Sequence, residues 1–115
     1  MPLLSGVPTI TLGSGAGTGA TISNFVGVDD AFAFTLTTGS SPPASSLVFT
    51  ATYSVPLPTG GGVPIKSNHN ANAGALYGVS DIWLNGSTGT ALNYYSNTTP
   101  LTANTSYRWG IIVGL

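Results

Sequence analysis

The chain has 115 residues, enough for one domain that buries roughly two-thirds of its unfolded surface without covalent staples. Charged residues make up 4% of it (Lys66, Arg108, Asp29, Asp30, Asp81), cysteine is absent and the net charge is −1, where an ordinary domain carries about 25% charged residues. Disulfides and thiolate metal sites are thereby excluded, and so is a nucleic-acid partner, which needs clustered Lys and Arg against phosphate.

Mean hydropathy is +0.31, yet no apolar run approaches the roughly 20 residues of a membrane helix, so no membrane partner is expected. Met1 to Val7 reads as an apolar arm broken by Pro2 and Gly6, without the basic start of a secretion signal. Residues 8–115 read as a single domain. Pro8 to Leu12 is a short alternating strand, followed by the glycine loop Gly13 to Gly19. Within that loop Gly15-Ala-Gly17-Thr-Gly-Ala20 formally matches a dinucleotide fingerprint, but a strand follows where the motif requires a helix N-terminus, so the loop reads as a flexible turn. Ala20 to Val28 places Ile22, Val26 and Val28 on one parity and Phe25 on the other, which points to a bulge. Asp29 and Asp30 make the next turn.

Two alternating runs, Ala31 to Thr38 and Leu47 to Ser54, flank a Gly/Ser/Pro loop and predict a β-hairpin with a long connection. Phe32, Phe34 and Leu36 share one face of the first run, and Phe49, Ala51 and Tyr53 share one face of the second. Val55 to Gly62 is loop, because its prolines cannot donate to a ladder, and Val63 to Ser67 reads as an edge strand. Asn68 to Ala75 is expected to be irregular. Tyr77 to Leu84 is expected as a strand, turning at Asn85-Gly86 into a return strand over Thr90 to Tyr95. Tyr107 to Val113 closes the chain with Tyr107, Trp109, Ile111 and Val113 on one face. The whole predicts an all-β domain of about eight short antiparallel strands in a two-sheet sandwich of jelly-roll or Greek-key type.

The inventory for chemistry is small. A nucleophilic triad would need His69 with a Ser or Thr and one of three Asp residues, and a carboxylate pair could come only from the same three. No catalytic residue, cofactor or metal site is therefore expected. His69 sits among Asn68, Asn70 and Asn72 and reads as a loop residue open to partner contact. Asp29-Asp30 reads as a turn bonding its own backbone, and Asp81 as either exposed or paired with Lys66 or Arg108. Trp83, Trp109, Tyr77, Tyr94, Tyr95 and Tyr107 read as core or subunit interface, or as stacking surfaces for a glycan. A surface with so few charges is poorly protected from association, so contact with copies of itself or a larger assembly is expected.

Three segments carry a family resemblance: Gly17-Thr-Gly-Ala-Thr21, the run Leu36 to Pro56 with its Thr-Gly-x-x-Pro signature, and Leu101-Thr-Ala-Asn-Thr-Ser-Tyr-Arg-Trp109 leading into Val113. Their order resembles a small β-sandwich domain recurrent in virion structural proteins of tailed bacteriophages. The resemblance implies a non-enzymatic structural protein of the virion, and a charge-poor sandwich with an apolar arm narrows the expectation to a capsid decoration (cement) protein on the virion surface, made in the host cytoplasm and clamping the major capsid protein as a homotrimer. Its contacts would come from the arm (Pro2, Leu3, Leu4), exposed strand edges, His69, Tyr94 and Tyr95. The alternative is a receptor- or glycan-binding tip domain of a tail fibre.

Overall fold

The computed structural model describes residues 6–57 and 63–114, so Pro2, Leu3 and Leu4 of the expected arm lie outside the described residues. Eight strands form: β1 (Thr9–Leu12), β2 (Thr21–Val28), β3 (Ala31–Thr37), β4 (Leu47–Thr52), β5 (Val63–Asn68), β6 (Trp83–Ser87), β7 (Ala91–Tyr95) and β8 (Ser106–Gly114). They build two antiparallel four-stranded sheets, ordered β1-β4-β7-β6 and β2-β3-β8-β5. The all-β two-sheet architecture is as the alternation of the strands predicts.

The expected hairpin is not one. β3 and β4 lie in different sheets, β3 between β2 and β8 and β4 between β1 and β7. The physical reason is that each run presents a complete apolar face. Side by side in one sheet, both faces would point the same way and still need a cover; opposite one another, each covers the other. The rings of Phe34 and Phe49 accordingly meet edge to face, with centroids 4.9 Å apart. Phe49 also stacks on Tyr94 at 5.1 Å and on Trp109 at 6.0 Å, joining β4, β7 and β8 in one buried cluster. Tyr107, Trp109, Ile111 and Val113 all point inward, as expected for the closing strand. The connection that carries the chain across is tied down at both ends: the Thr38 hydroxyl donates to the carbonyls of Thr102 and Thr105, and Ser46 N–H donates to Ser96 Oγ.

Four other expectations change. Tyr77 to Asp81 is not strand, because Gly78 adopts φ +55° and a 3-10 turn (Gly78–Ser80) forms, with the Ser80 hydroxyl bonded to both the N–H and the carbonyl of Tyr77. The β6–β7 turn falls at Thr88-Gly89-Thr90, where Thr88 Oγ1 accepts from the N–H groups of Thr90 and Ala91 at 3.1 Å each; Asn85 and Gly86 instead fill a register shift inside β6. Asn70 caps one helical turn, α1 (Ala71–Gly74), by accepting from Ala73 N–H at 2.9 Å. The bulge expected around Phe25 is present, with the β2–β3 register shifting between Ser23 and Val26 and Asn24 at φ +51°. The glycine loop is packed rather than flexible: a 3-10 turn (Ser14–Ala16) buries Gly15 and Ala16, and Thr18 and Ser40 exchange backbone hydrogen bonds. Side chains at Gly13 and Gly15 would collide with the backbone of Ser46 and Leu47.

The sheet edges are built against pairing with another chain, so the expectation that exposed edges make partner contacts loses its physical basis. β1 has only four residues, and β2 and β6 carry register shifts. In β5, Pro64 pairs with Val113, which sends its own N–H to Asp30 on the other side. Pro64 therefore turns its backbone to the open edge, where it has no N–H to offer, and Lys66 follows two residues on.

Asp29 is buried in the β2–β3 turn, but it does not bond its own turn. Its carboxylate accepts from Ser54 N–H at 3.1 Å and from the Ser54 hydroxyl at 2.6 Å, linking the end of one sheet to the end of the other. Asp29→Ala leaves the Ser54 donors without their charged acceptor and is expected to cost about 2–3 kcal/mol, read as a lower urea midpoint at unchanged slope.

Candidate interaction surfaces

The two sheets turn chemically different outer faces to solvent. In the second sheet, the residues alternating with the core set toward the β2–β3 turn are Val26 and Val28 on β2, Ala31 and Ala33 on β3, Gly110 and Ile112 on β8, and Val63 and Ile65 on β5, with Thr35, Thr37, Ser67 and Arg108 on the same face further along. Val26, Val63, Ile65 and Ile112 are each more than half exposed. An alternating strand normally puts charged or polar residues on that side; here the sequence puts small and aliphatic ones. The result is a shallow groove of about 270 Å³ with Ala33 and Gly110 among its lining, Val26 and Ala31 toward β2, and Ile112 and His69 toward β5.

His69 sits at the rim of this groove, exposed, with Nε2 2.7 Å from Ser67 Oγ. Gly110 is what lets it lie there, since a methyl group at that position would come within 2.5 Å of Nε2. Charges are drawn away from the groove. Lys66 Nζ lies 3.1 Å from Asp81, one of the two pairings expected for that aspartate. Arg108 Nη1 donates to Asn24 carbonyl at 3.0 Å and to Thr35 Oγ1 at 3.1 Å, beside the β2 bulge.

The first sheet differs. Its four strands contain no charged residue and no histidine. Its outer face carries Thr9 and Thr11 of β1 opposite Thr52 and Thr50 of β4, then Asn93 on β7. At its far end Trp83 and Tyr95 are directly paired across β6 and β7, with ring centroids 6.2 Å apart and planes at 45°. Trp83 is 44% exposed and Tyr95 half-buried.

Of the residues expected to make contacts, the structure brings His69 to the groove and Tyr95 to the aromatic pair, on opposite faces of the molecule. Tyr94, one residue before Tyr95, points the other way into the core. Of the groove residues, Val26 enters the sequence reading only for its parity on β2, and Ala33, Gly110 and Ile112 are not singled out there, because on β3 and β8 that reading follows the inward parity. The available signal was the missing polar partner set in Ala31/Ala33 and Gly110/Ile112. Among the described residues no three His, Cys, Asp or Glu side chains come together as a metal site would require. No family model, curated protein or solved structure matches this chain.

Burial, followed by the neighbouring Tyr53, raises the Tyr94 hydroxyl from 10.0 to about 12, and burial followed by the Asp29 charge raises Tyr53 as well. Both shifts favour the neutral phenol in the fold. The stability they contribute is complete below the unfolded-state value near 10 and is lost as pH rises through the folded-state value. Stability is therefore expected to fall between about pH 10 and 12, and Tyr94→Phe should make that fall less steep in a series of denaturant titrations.

Proposed function

We propose that this chain is a non-enzymatic virion structural protein, a capsid decoration protein that binds coat subunits and copies of itself by packing apolar surface rather than by charge. One observation carries the reading: around its groove the open face of the second sheet is aliphatic, with Val26, Val63, Ile65 and Ile112 exposed and the one cation of that face, Arg108, turned aside to Asn24 and Thr35. Large exposed apolar patches on a small domain mark interaction sites. Blunted edges leave such a face, rather than strand addition, as the means of association. The order of the glycine start, the Thr-Gly-x-x-Pro connection and the Leu101 to Val113 closing segment adds the resemblance to phage virion sandwiches. The partners on this reading are the major capsid protein and two further copies in a homotrimer, and the place of action is the capsid surface.

Light scattering over a dilution series tests the self-association. A trimer that persists on dilution and in high salt is expected, because screening weakens charge pairs but not apolar packing. Replacing Ile65 and Ile112 together by Lys should give a folded monomer and abolish retention on phage heads in high salt. A wild-type chain that stays monomeric both alone and in the presence of heads would overturn the proposal, as would a double variant that assembles normally.

A further inference from the structure

We propose that the outer face of the first sheet is a binding platform for neutral oligosaccharides, centred on Trp83, Tyr95 and Asn93. The fold does not require these rings at the surface, since the inward residues of the same strands, Leu92 and Tyr94, complete the core beneath them. An exposed indole beside a half-buried phenol offers π-faces suited to the C–H face of a pyranose ring. Polar groups that match sugar hydroxyls stand next to them. Asn93 Oδ1 accepts from the Thr50 hydroxyl at 2.8 Å, which fixes the amide and leaves its NH₂ group with no partner among the described residues. Exposed Asn85 flanks the pair on β6, and Thr52 and Thr9 extend the hydroxyl row on the side of β4 and β1.

The charge pattern selects the ligand class. With no cation on any strand of this sheet, nothing there would neutralise a sialic acid, a sulfate or a phosphate, and the ligand that fits is uncharged and rich in hydroxyls. An apolar peptide fits less well, because away from the aromatic pair the face is threonine and asparagine rather than aliphatic. The aliphatic surface is on the opposite sheet. This inference makes no use of that surface and holds whether or not the protein trimerises.

The experiment is a glycan array carrying neutral gluco-, galacto- and manno-oligosaccharides beside sialylated and sulfated ones, followed by titration of the best neutral hit. Neutral glycans are expected to be retained, with Trp83→Ala and Asn93→Ala each weakening binding about tenfold or more at an unchanged melting temperature. Should Trp83→Ala loosen the β6–β7 hairpin, the wild-type chain gives a second readout. Trp109 is fully buried, so acrylamide quenching reports on Trp83, and the bound oligosaccharide should protect it. Retention of only sialylated or sulfated glycans, no retention at all, or an unprotected Trp83 at saturating sugar would each overturn the proposal.

Discussion

The contact of Phe34 with Phe49 is the one on which the rest of this structure depends. With the Phe49–Trp109 stack it is where the two sheets touch through aromatic rings, and Tyr94 and Tyr107 stack outward from it on either side. Because this core satisfies the apolar faces of β3, β4, β7 and β8 together, none of those strands is free to exchange its neighbours. The same requirement sends β3 and β4 to opposite sheets. Asp29 then reinforces one end of the sandwich by hydrogen bonding rather than by packing, and Thr38 and Ser96 fasten the long connection between the sheets.

Once the core is fixed, each outer face inherits whatever residues alternate with it. On β8 and β3, around the groove, these are Gly110, Ile112, Ala31 and Ala33, with Arg108, Thr35 and Thr37 further along; on β4, β1 and β7 they are Thr50, Thr52, Thr9, Thr11 and Asn93. A face composed of the first set is driven out of water, and a face composed of the second set can exchange water for other hydroxyl groups at little cost. The molecule thereby separates two kinds of contact across the thickness of a single sandwich, with four of its five charged side chains held in local hydrogen bonds or ion pairs.

Strand content was legible because period-two alternation depends only on local sequence, and the inward set of β8 could be read directly. Phe25 also announced the β2 bulge by breaking parity. The pairing of β6 with β7 was legible from the turn signals between them, but the partners of β3 and β4 were not, since the same alternation serves a hairpin partner and a strand on the facing sheet equally well. Local turn chemistry misled in two places. Asn85-Gly86 is strong turn punctuation, yet the Thr88 hydroxyl captures two backbone N–H groups and moves the turn beyond it. Gly78 at positive φ ended a run whose composition otherwise favours strand. Of the two surfaces, Trp83 and Tyr95 could be picked out as aromatics and His69 as the lone histidine. Their separation onto opposite sides could not, because it follows from the pairing order.

Only two of the seven links between consecutive strands, β2–β3 and β6–β7, join partners in the same sheet; the other five cross between sheets. The central pairings join β3 to β8 and β4 to β7, far apart along the chain. Long loops must close before these contacts return any free energy, so folding belongs to the slow end of small domains, roughly milliseconds to seconds. Until those pairings form, Ala31 to Leu36 lacks its β8 partner and Leu47 to Ala51 its β7 partner, and both segments are uncharged and mostly apolar. The blunted edges protect only the finished sandwich. Before β8 and β7 are in place the chain is therefore expected to be most open to association through these strands, and lower temperature or a chaperone that shields them until β8 emerges should raise its yield.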